Sequence, residues 1–454
     1  MRYASCDTLL TAYLLLTQDQ DRAVLENGAL SISQGRIQAI GPREDFAGVR
    51  AQHTLHLGNA LILPGLINAH THIPMTIFRG LADDLPLMTW LNRHIFPVER
   101  SLTEEMVTLG CLLGCAEMLR CGTTAFADMY LLEEAIMKTV EGCGMRVLAG
   151  EGIFSFPSPA YADTAAALDL VRAQAARWRG HARVRVAVAP HAVYTTTPEL
   201  LIACRDLAGE LELPLHIHLA ETREETAGCL SAAGRRPVAY CHSLGLLGRR
   251  TTIAHGVDLE DEDLDILAEN GVRVVHNPRS NMKLGSGVAP VPDLLNRGVT
   301  VGLGTDGAAS NNSLNLFAEM SACALLHKAV HRDSTLLPAQ TVLDMATLGS
   351  AQALHWEDLG VLAPGRPADL IALDLSSPGL QPLYSPFSHL VYAASGLEVR
   401  LAVVEGRILY QDGHFFSLDY PALLKETDKI RSWVLRARRR KQPPRVSGRE
   451  DADF

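Results

Sequence analysis

The stretch Pro64-Gly65-Leu66-Ile67-Asn68-Ala69-His70-Thr71-His72 decides how the rest of the chain is read. Strand side chains repeat with period two, so histidines at i and i+2 face the same side. The residues before them, Ala60-Leu61-Ile62-Leu63, are a short apolar run suited to a strand buried on both faces. Two imidazoles side by side at the end of a buried strand suit a shared metal ion. A bare His-x-His is equally the pattern of two polar loop histidines, so the neighbouring sequence must decide.

Outward from that stretch, residues 61–360 alternate apolar strand-like runs with helix-like segments, as parallel βα units do. Eight candidate strands fall at 60–70, 123–129, 146–151, 184–191, 215–220, 252–255, 272–277 and 300–306, with helical stretches such as 103–120, 164–178, 199–210 and 313–330 between them. Eight strands favour an α/β fold of the (β/α)8 TIM-barrel type over an open doubly wound sheet. No GxGxxG or GxxxxGK[ST] loop is present, which lowers a dinucleotide or NTP reading. Residues 1–60 and 361–420 carry short strand patterns with turn signals, and together suggest one small β-sandwich domain built from both chain ends. Residues 421–454 read as a C-terminal helix and a solvated or disordered basic, polar tail.

The chain has 454 residues, 47% hydrophobic and 20% charged, enough for a large core and against disorder. A net charge of −10 implies no broad basic surface, so nucleic acid is not the expected partner. The nine cysteines are scattered and form no CxxC pair, so neither a disulfide framework nor a thiolate zinc knuckle is expected. Cys111 and Cys115, at i and i+4, read as small core residues. No apolar run approaches the roughly 20 residues that span a bilayer. With no secretory signal pattern, a cytoplasmic protein without a membrane partner is expected. A small molecule is the expected ligand, and a homo-oligomer is compatible with the composition.

Barrel enzymes do their chemistry at the C-terminal ends of the strands. Reading those ends gives His70 and His72 after the first strand, His191 after the fourth and His218 in the fifth. His255 ends the sixth and Asp306 the eighth. Metal-compatible side chains therefore recur at one rim, a registration far more specific than any single motif.

With these motifs the chain resembles the amidohydrolase superfamily, in particular its methylthioadenosine/S-adenosylhomocysteine deaminases and their chlorohydrolase-like neighbours. The resemblance rests on the opening stretch, on His216-Ile217-His218-Leu219-Ala220-Glu221-Thr222, Ala254-His255 and His276-Asn277-Pro278-Arg279-Ser280-Asn281, and on residues 304–312. It implies that His70, His72, His218 and Asp306 bind one divalent metal, Zn2+ in the first place, with Fe2+ or another ion compatible. Three imidazoles and a carboxylate leave a position for water, whose pKa such an ion lowers. Binuclear members bridge two metals through a lysine after the fourth strand; here Ala189-Pro190-His191-Ala192-Val193 offers none, so one metal is expected. His216 shares a strand with His218 and points the same way; the family pattern makes His218 the ligand and leaves His216 behind it.

The resemblance also implies that Glu221 passes a proton to the ring nitrogen beside the attacked carbon, that His255 polarises the reacting groups, and that Asp306 acts as base as well as ligand. It places Glu99 on the ribose hydroxyls, His191 on the nucleoside and Trp90 in the covering segment 75–91. The implied reaction is hydrolytic deamination of an adenosine-type nucleoside. The alternatives are a deaminase or dechlorinase of a free purine, pyrimidine or triazine base, and a catalytically silent barrel used for binding or assembly. Family members acting on S-adenosylhomocysteine carry arginines after the third strand. Residues 148–160 contain none, and Glu151, if it faced that space, would repel a carboxylate.

Overall fold

The computed structural model describes residues 5–439. Eight parallel strands form the barrel: Leu66–Thr71, Thr123–Tyr130, Arg146–Ile153, Val184–Val186 continued by Ala189–Pro190, Leu215–Leu219, Thr251–His255, Arg273–His276 and Val301–Leu303. The first half runs from the first strand to the fourth and the second half from the fifth to the eighth. A parallel bridge between Val188 and Leu215 joins the halves, and the Asp306 amide donates to the His70 carbonyl at 3.0 Å across the closing seam. Most barrel strands are buried along their whole length, which is why they read as apolar runs without alternation.

One expectation is corrected here. The run expected as a single strand over 60–70 is two strands in two sheets. Ala60–Pro64 pairs antiparallel with Leu370–Asp374 and parallel with Leu14 and Leu15, in the sheet built from both chain ends. Its side chains alternate between two cores: Ala60 and Ile62 join the core of that sheet, while Leu61 and Leu63 join the barrel's. Burial on both faces looks the same in sequence whichever sheet supplies it. The chain then crosses to the barrel at Gly65, where an added Cβ would lie 2.0 Å from Thr124 Oγ1.

The sheet from both chain ends has nine strands, running from His414–Phe415 through Ala60–Pro64 to Arg36–Pro42. It curls over a shared core of Leu10, Leu30, Ile37, Ile62, Leu370 and Leu401. Its last strand closes on the segment before Leu370 through hydrogen bonds between Ile37 and residues 365 and 366. Helix Tyr420–Arg439 follows, burying Leu423, Ile430, Val434 and Ala437. The rest of the expected helix and tail, 440–454, lies outside the described residues. No helix among the described residues is long and apolar enough to cross a membrane.

Candidate active site

The residues expected at the rim converge. His70 lies in the first strand beside an irregularity in its pairing with the second, a feature that often re-aims side chains near active sites. His72 sits just past that strand, at φ −127° and ψ 74°. Its Nδ1 lies 2.5 Å from the Met129 carbonyl, and His218 Nδ1 lies 2.8 Å from the His191 carbonyl. A carbonyl only accepts, so each ring carries its proton on Nδ1 and turns the Nε2 lone pair inward. Those two Nε2 atoms are 3.3 Å apart. His70 Nδ1 meets His216 Nε2 at 3.2 Å, which puts His216 behind His70, and the buried His70 Nε2 has no hydrogen-bond partner.

Asp306 divides its two oxygens. Oδ2 accepts from Ser280 Oγ at 2.5 Å and Ser310 Oγ at 2.8 Å. Oδ1 lies 3.1 Å from His72 Nε2 and 3.6 Å from His70 Nε2. Burial would raise its pKa, but the His70 and His72 rings beside it hold the carboxyl well below the usual carboxylate range. Converging lone pairs around an anionic oxygen repel one another unless a cation lies between them. The 3.3 Å Nε2 separation also equals the ~3.3 Å edge of a tetrahedron with metal–nitrogen bonds near 2.0–2.1 Å. The donor set fits a divalent ion. At Gly304, an added Cβ would fall 2.9 Å from His70 Cβ and 2.3 Å from Asn277 Oδ1, so the eighth strand approaches this cluster only without a side chain there.

Three turns into the rim are made by non-glycine residues at positive φ: Ala220 (54°), His255 (77°) and Asp306 (61°). Such backbone costs roughly 1–3 kcal/mol each and persists where surrounding bonds over-determine it. At Ala220 and Glu221 those bonds are visible, since Glu225 accepts from both amides at 3.0 and 2.8 Å. Glu221 itself is buried, and burial raises its pKa. Its Oε1 lies 3.9 Å from His255 Nε2, and His255 Nδ1 is anchored 2.8 Å from Asn281 Oδ1.

A pocket with an empty volume of about 640 Å3 opens onto this cluster. It is lined by His72, His218, Glu221, His255 and Asp306, and also by Glu99, His191 and Trp90, with the His191 ring 4.7 Å from that of His218. Every expected site residue except His70, which lies behind the lining, therefore faces one cavity. Glu99 accepts from Tyr130 Oη at 2.7 Å; burial raises its pKa to about 7, opposed by that bond and by His72. His191 stacks on Phe154 with centroids 4.7 Å apart. Glu151 is a second correction. It is fully buried, does not line the pocket, and accepts the amides of Leu132 and Glu133, both at 2.9 Å, at the start of helix Glu133–Cys143. A carboxylate at that helix end satisfies orphan N–H groups, so it repels nothing in the pocket. Sequence reasoning had given no role to Tyr130, Tyr194, Phe154, Glu225, Ser310 or the Ser280–Asn281 pair. The last three stand in or beside quoted motifs, and Tyr130 ends the second strand, where the rim rule could have found it.

A (β/α)8 barrel whose rim gathers three histidines, an aspartate and a buried glutamate defines a divalent-metal hydrolase. Residues 61–409 match the amidohydrolase family, and the chain belongs to that family. It is 61% identical over 431 residues to the 5-methylthioadenosine/S-adenosylhomocysteine deaminase of Nitratidesulfovibrio vulgaris, covering 95% of this chain and 98% of that one. It is 47% identical over 364 residues to the 5′-deoxyadenosine deaminase of Methanothermobacter thermautotrophicus, covering 79% and 84%. The crystal structure of an adenosine deaminase from Xanthomonas campestris with bound zinc superposes with a TM-score of 0.93 at 37% identity, covering 96% of this chain and all of that one.

Proposed function

We propose that this enzyme hydrolytically deaminates adenosine-type nucleosides, 5-methylthioadenosine and S-adenosylhomocysteine among them, to the inosine analogue and ammonia. The observation that carries the reading is one cavity lined at once by the metal-compatible cluster, by Glu221 and by the Glu99–Tyr130 pair. A carboxylate accepting from two adjacent hydroxyls suits a ribose.

His70, His72, His218 and Asp306 would hold one divalent ion, Zn2+ by the chemistry of the donors, and when bound it lowers the pKa of water toward neutrality and polarises the attacked centre. Asp306 Oδ1, kept anionic while Ser280 and Ser310 hold Oδ2, takes the proton from water as oxygen bonds to C6. Glu221 delivers a proton to N1; its raised pKa keeps the acid form available for that transfer. His255 Nε2, aimed by Asn281, stabilises charge on the reacting groups. The C6–N bond then breaks: the amino group leaves as ammonia with the proton first taken from water, and the C6 hydroxyl returns its proton to Glu221 as the C6=O bond forms. Apolar walls and the covering segment exclude bulk water.

The test is ammonia release from the metal-loaded enzyme with adenosine, 5-methylthioadenosine, 5′-deoxyadenosine, S-adenosylhomocysteine, guanine and cytosine. Release from the nucleosides and not from the free bases is expected; turnover of bases alone overturns the reading.

A further inference from the structure

The covering segment 75–91 ends in the helical turn Leu87–Trp90, and the chain continues through a π turn over Leu91–Ile95 into Phe96–Glu99. One face of residues 87–99 lines the pocket, with Leu87, Trp90, Leu91, Ile95, Phe96 and Glu99 all on the wall. At a rise near 1.5 Å per residue, Phe96 sits about 5 Å and Trp90 about 13 Å from Glu99 along the helix. Glu99, Ile95, Leu91 and Trp90 are buried and Phe96 and Leu87 are half-buried, so the wall offers apolar surface along its length. A nucleoside with C6 at the metal-compatible cluster and its ribose on Glu99 therefore points its 5′ end along this helix toward Leu87. Phe154 and His191, stacked with centroids 4.7 Å apart, also line the pocket, and Phe156 outside it bridges Phe154 and Phe96 with centroids 4.9 and 6.5 Å apart.

We infer that this stretch is an apolar 5′ subsite, and that the enzyme selects small uncharged 5′-substituents over the zwitterionic homocysteine tail. The inference rests on the nucleoside reading above and concerns the other end of the substrate. No lysine or arginine lines the pocket, and its carboxylates are Glu99, Glu221 and Asp306. Of the cations on adjoining segments, Arg79 pairs with Glu117 and Lys283 with Asp83 at 2.5 Å, and Arg93, Arg100 and Arg223 are exposed. A tail carboxylate laid along this wall loses water and gains no partner, which is costly. A methylthio group or a 5′-hydrogen loses nothing there, and the former buries its sulfur and methyl against aromatic and aliphatic carbon.

Steady-state ammonia release by the metal-loaded enzyme tests this. kcat/KM for 5-methylthioadenosine and 5′-deoxyadenosine is expected to exceed that for S-adenosylhomocysteine by at least about tenfold. In Leu87→Arg, a change at a half-buried wall residue, the ratio narrows as S-adenosylhomocysteine gains and 5-methylthioadenosine loses. Parity of the two substrates in the wild-type enzyme, or an unchanged ratio in Leu87→Arg, overturns the subsite while leaving the deamination reading intact. Ammonia from none of the nucleosides overturns both.

Discussion

The barrel holds two buried clusters of metal-compatible side chains, and only one carries the outer bonds and the carboxylate that a metal centre needs. At the rim, His72 and His218 bring their Nε2 atoms to 3.3 Å. Behind it, His276 and His327 do nearly the same at 3.4 Å, with Cys323 close by on the helix Leu316–His331. Proximity does not separate them; their outer bonds do. At the rim both Nδ1 atoms sit on carbonyl oxygens, which turns the lone pairs inward, and Asp306 supplies an anionic oxygen. In the second cluster both Nδ1 atoms are buried without a partner and no carboxylate joins. Burial pushes His276 well below its ordinary value, His327 to about 4, and the Cys323 thiol up. This is a neutral packing cluster. Imidazoles become ligands where second partners orient them and an anion offsets the ion's charge.

The largest effect expected from breaking this contrast is at Asp306. Asp306→Ala removes the anionic oxygen and the base together, so metal content and ammonia release both fall to background, measured by elemental analysis and turnover. Glu221→Gln separates chemistry from the ion: kcat falls about 10²–10⁴-fold while the metal content stays at the wild-type value. Glu99→Gln raises KM for nucleosides much more than for any free base. Because Glu99 has a pKa raised to about 7, it is protonated, and a poorer acceptor for the ribose hydroxyls, below that pH. KM for 5-methylthioadenosine is therefore expected to fall as pH rises through about 7, and Glu99→Gln to flatten that dependence. The smallest effect belongs to the second cluster. Cys323→Ala leaves metal content and kcat unchanged and costs about 1 kcal/mol of stability in a denaturant titration, from one small buried side chain. Loss of an ion in that variant would erase the distinction between the clusters.

Much of this was legible in the sequence because it is carried by period and position. Strands buried on both faces read as apolar runs, and the residues that end them, His70, His191, His255 and Asp306, mark the rim. What stayed hidden depends on contacts between distant segments. That Ala60–Pro64 belongs to the sheet from the chain ends follows from its pairing with Leu370–Asp374, more than 300 residues on. Glu151 looked like a pocket carboxylate by position, yet its partners are the amides of Leu132 and Glu133. The positive φ at Ala220 has no signal in residue type, since such backbone favours glycine, asparagine, aspartate and histidine; His255 and Asp306 are of those types, but the type alone does not single them out. Glu225 beneath Glu221 is an ordinary helix glutamate until the turn above it is seen.

The central claim is that the rim alone is the ion-dependent deamination centre. Elemental analysis of the wild-type enzyme, Asp306→Ala and Cys323→Ala, with ammonia release from 5-methylthioadenosine on the same samples, tests it most directly. The account predicts one divalent ion per chain in the wild type and in Cys323→Ala, with full release, and neither ion nor release in Asp306→Ala. An ion retained by Asp306→Ala, or deamination by a chain stripped of metal, would contradict it.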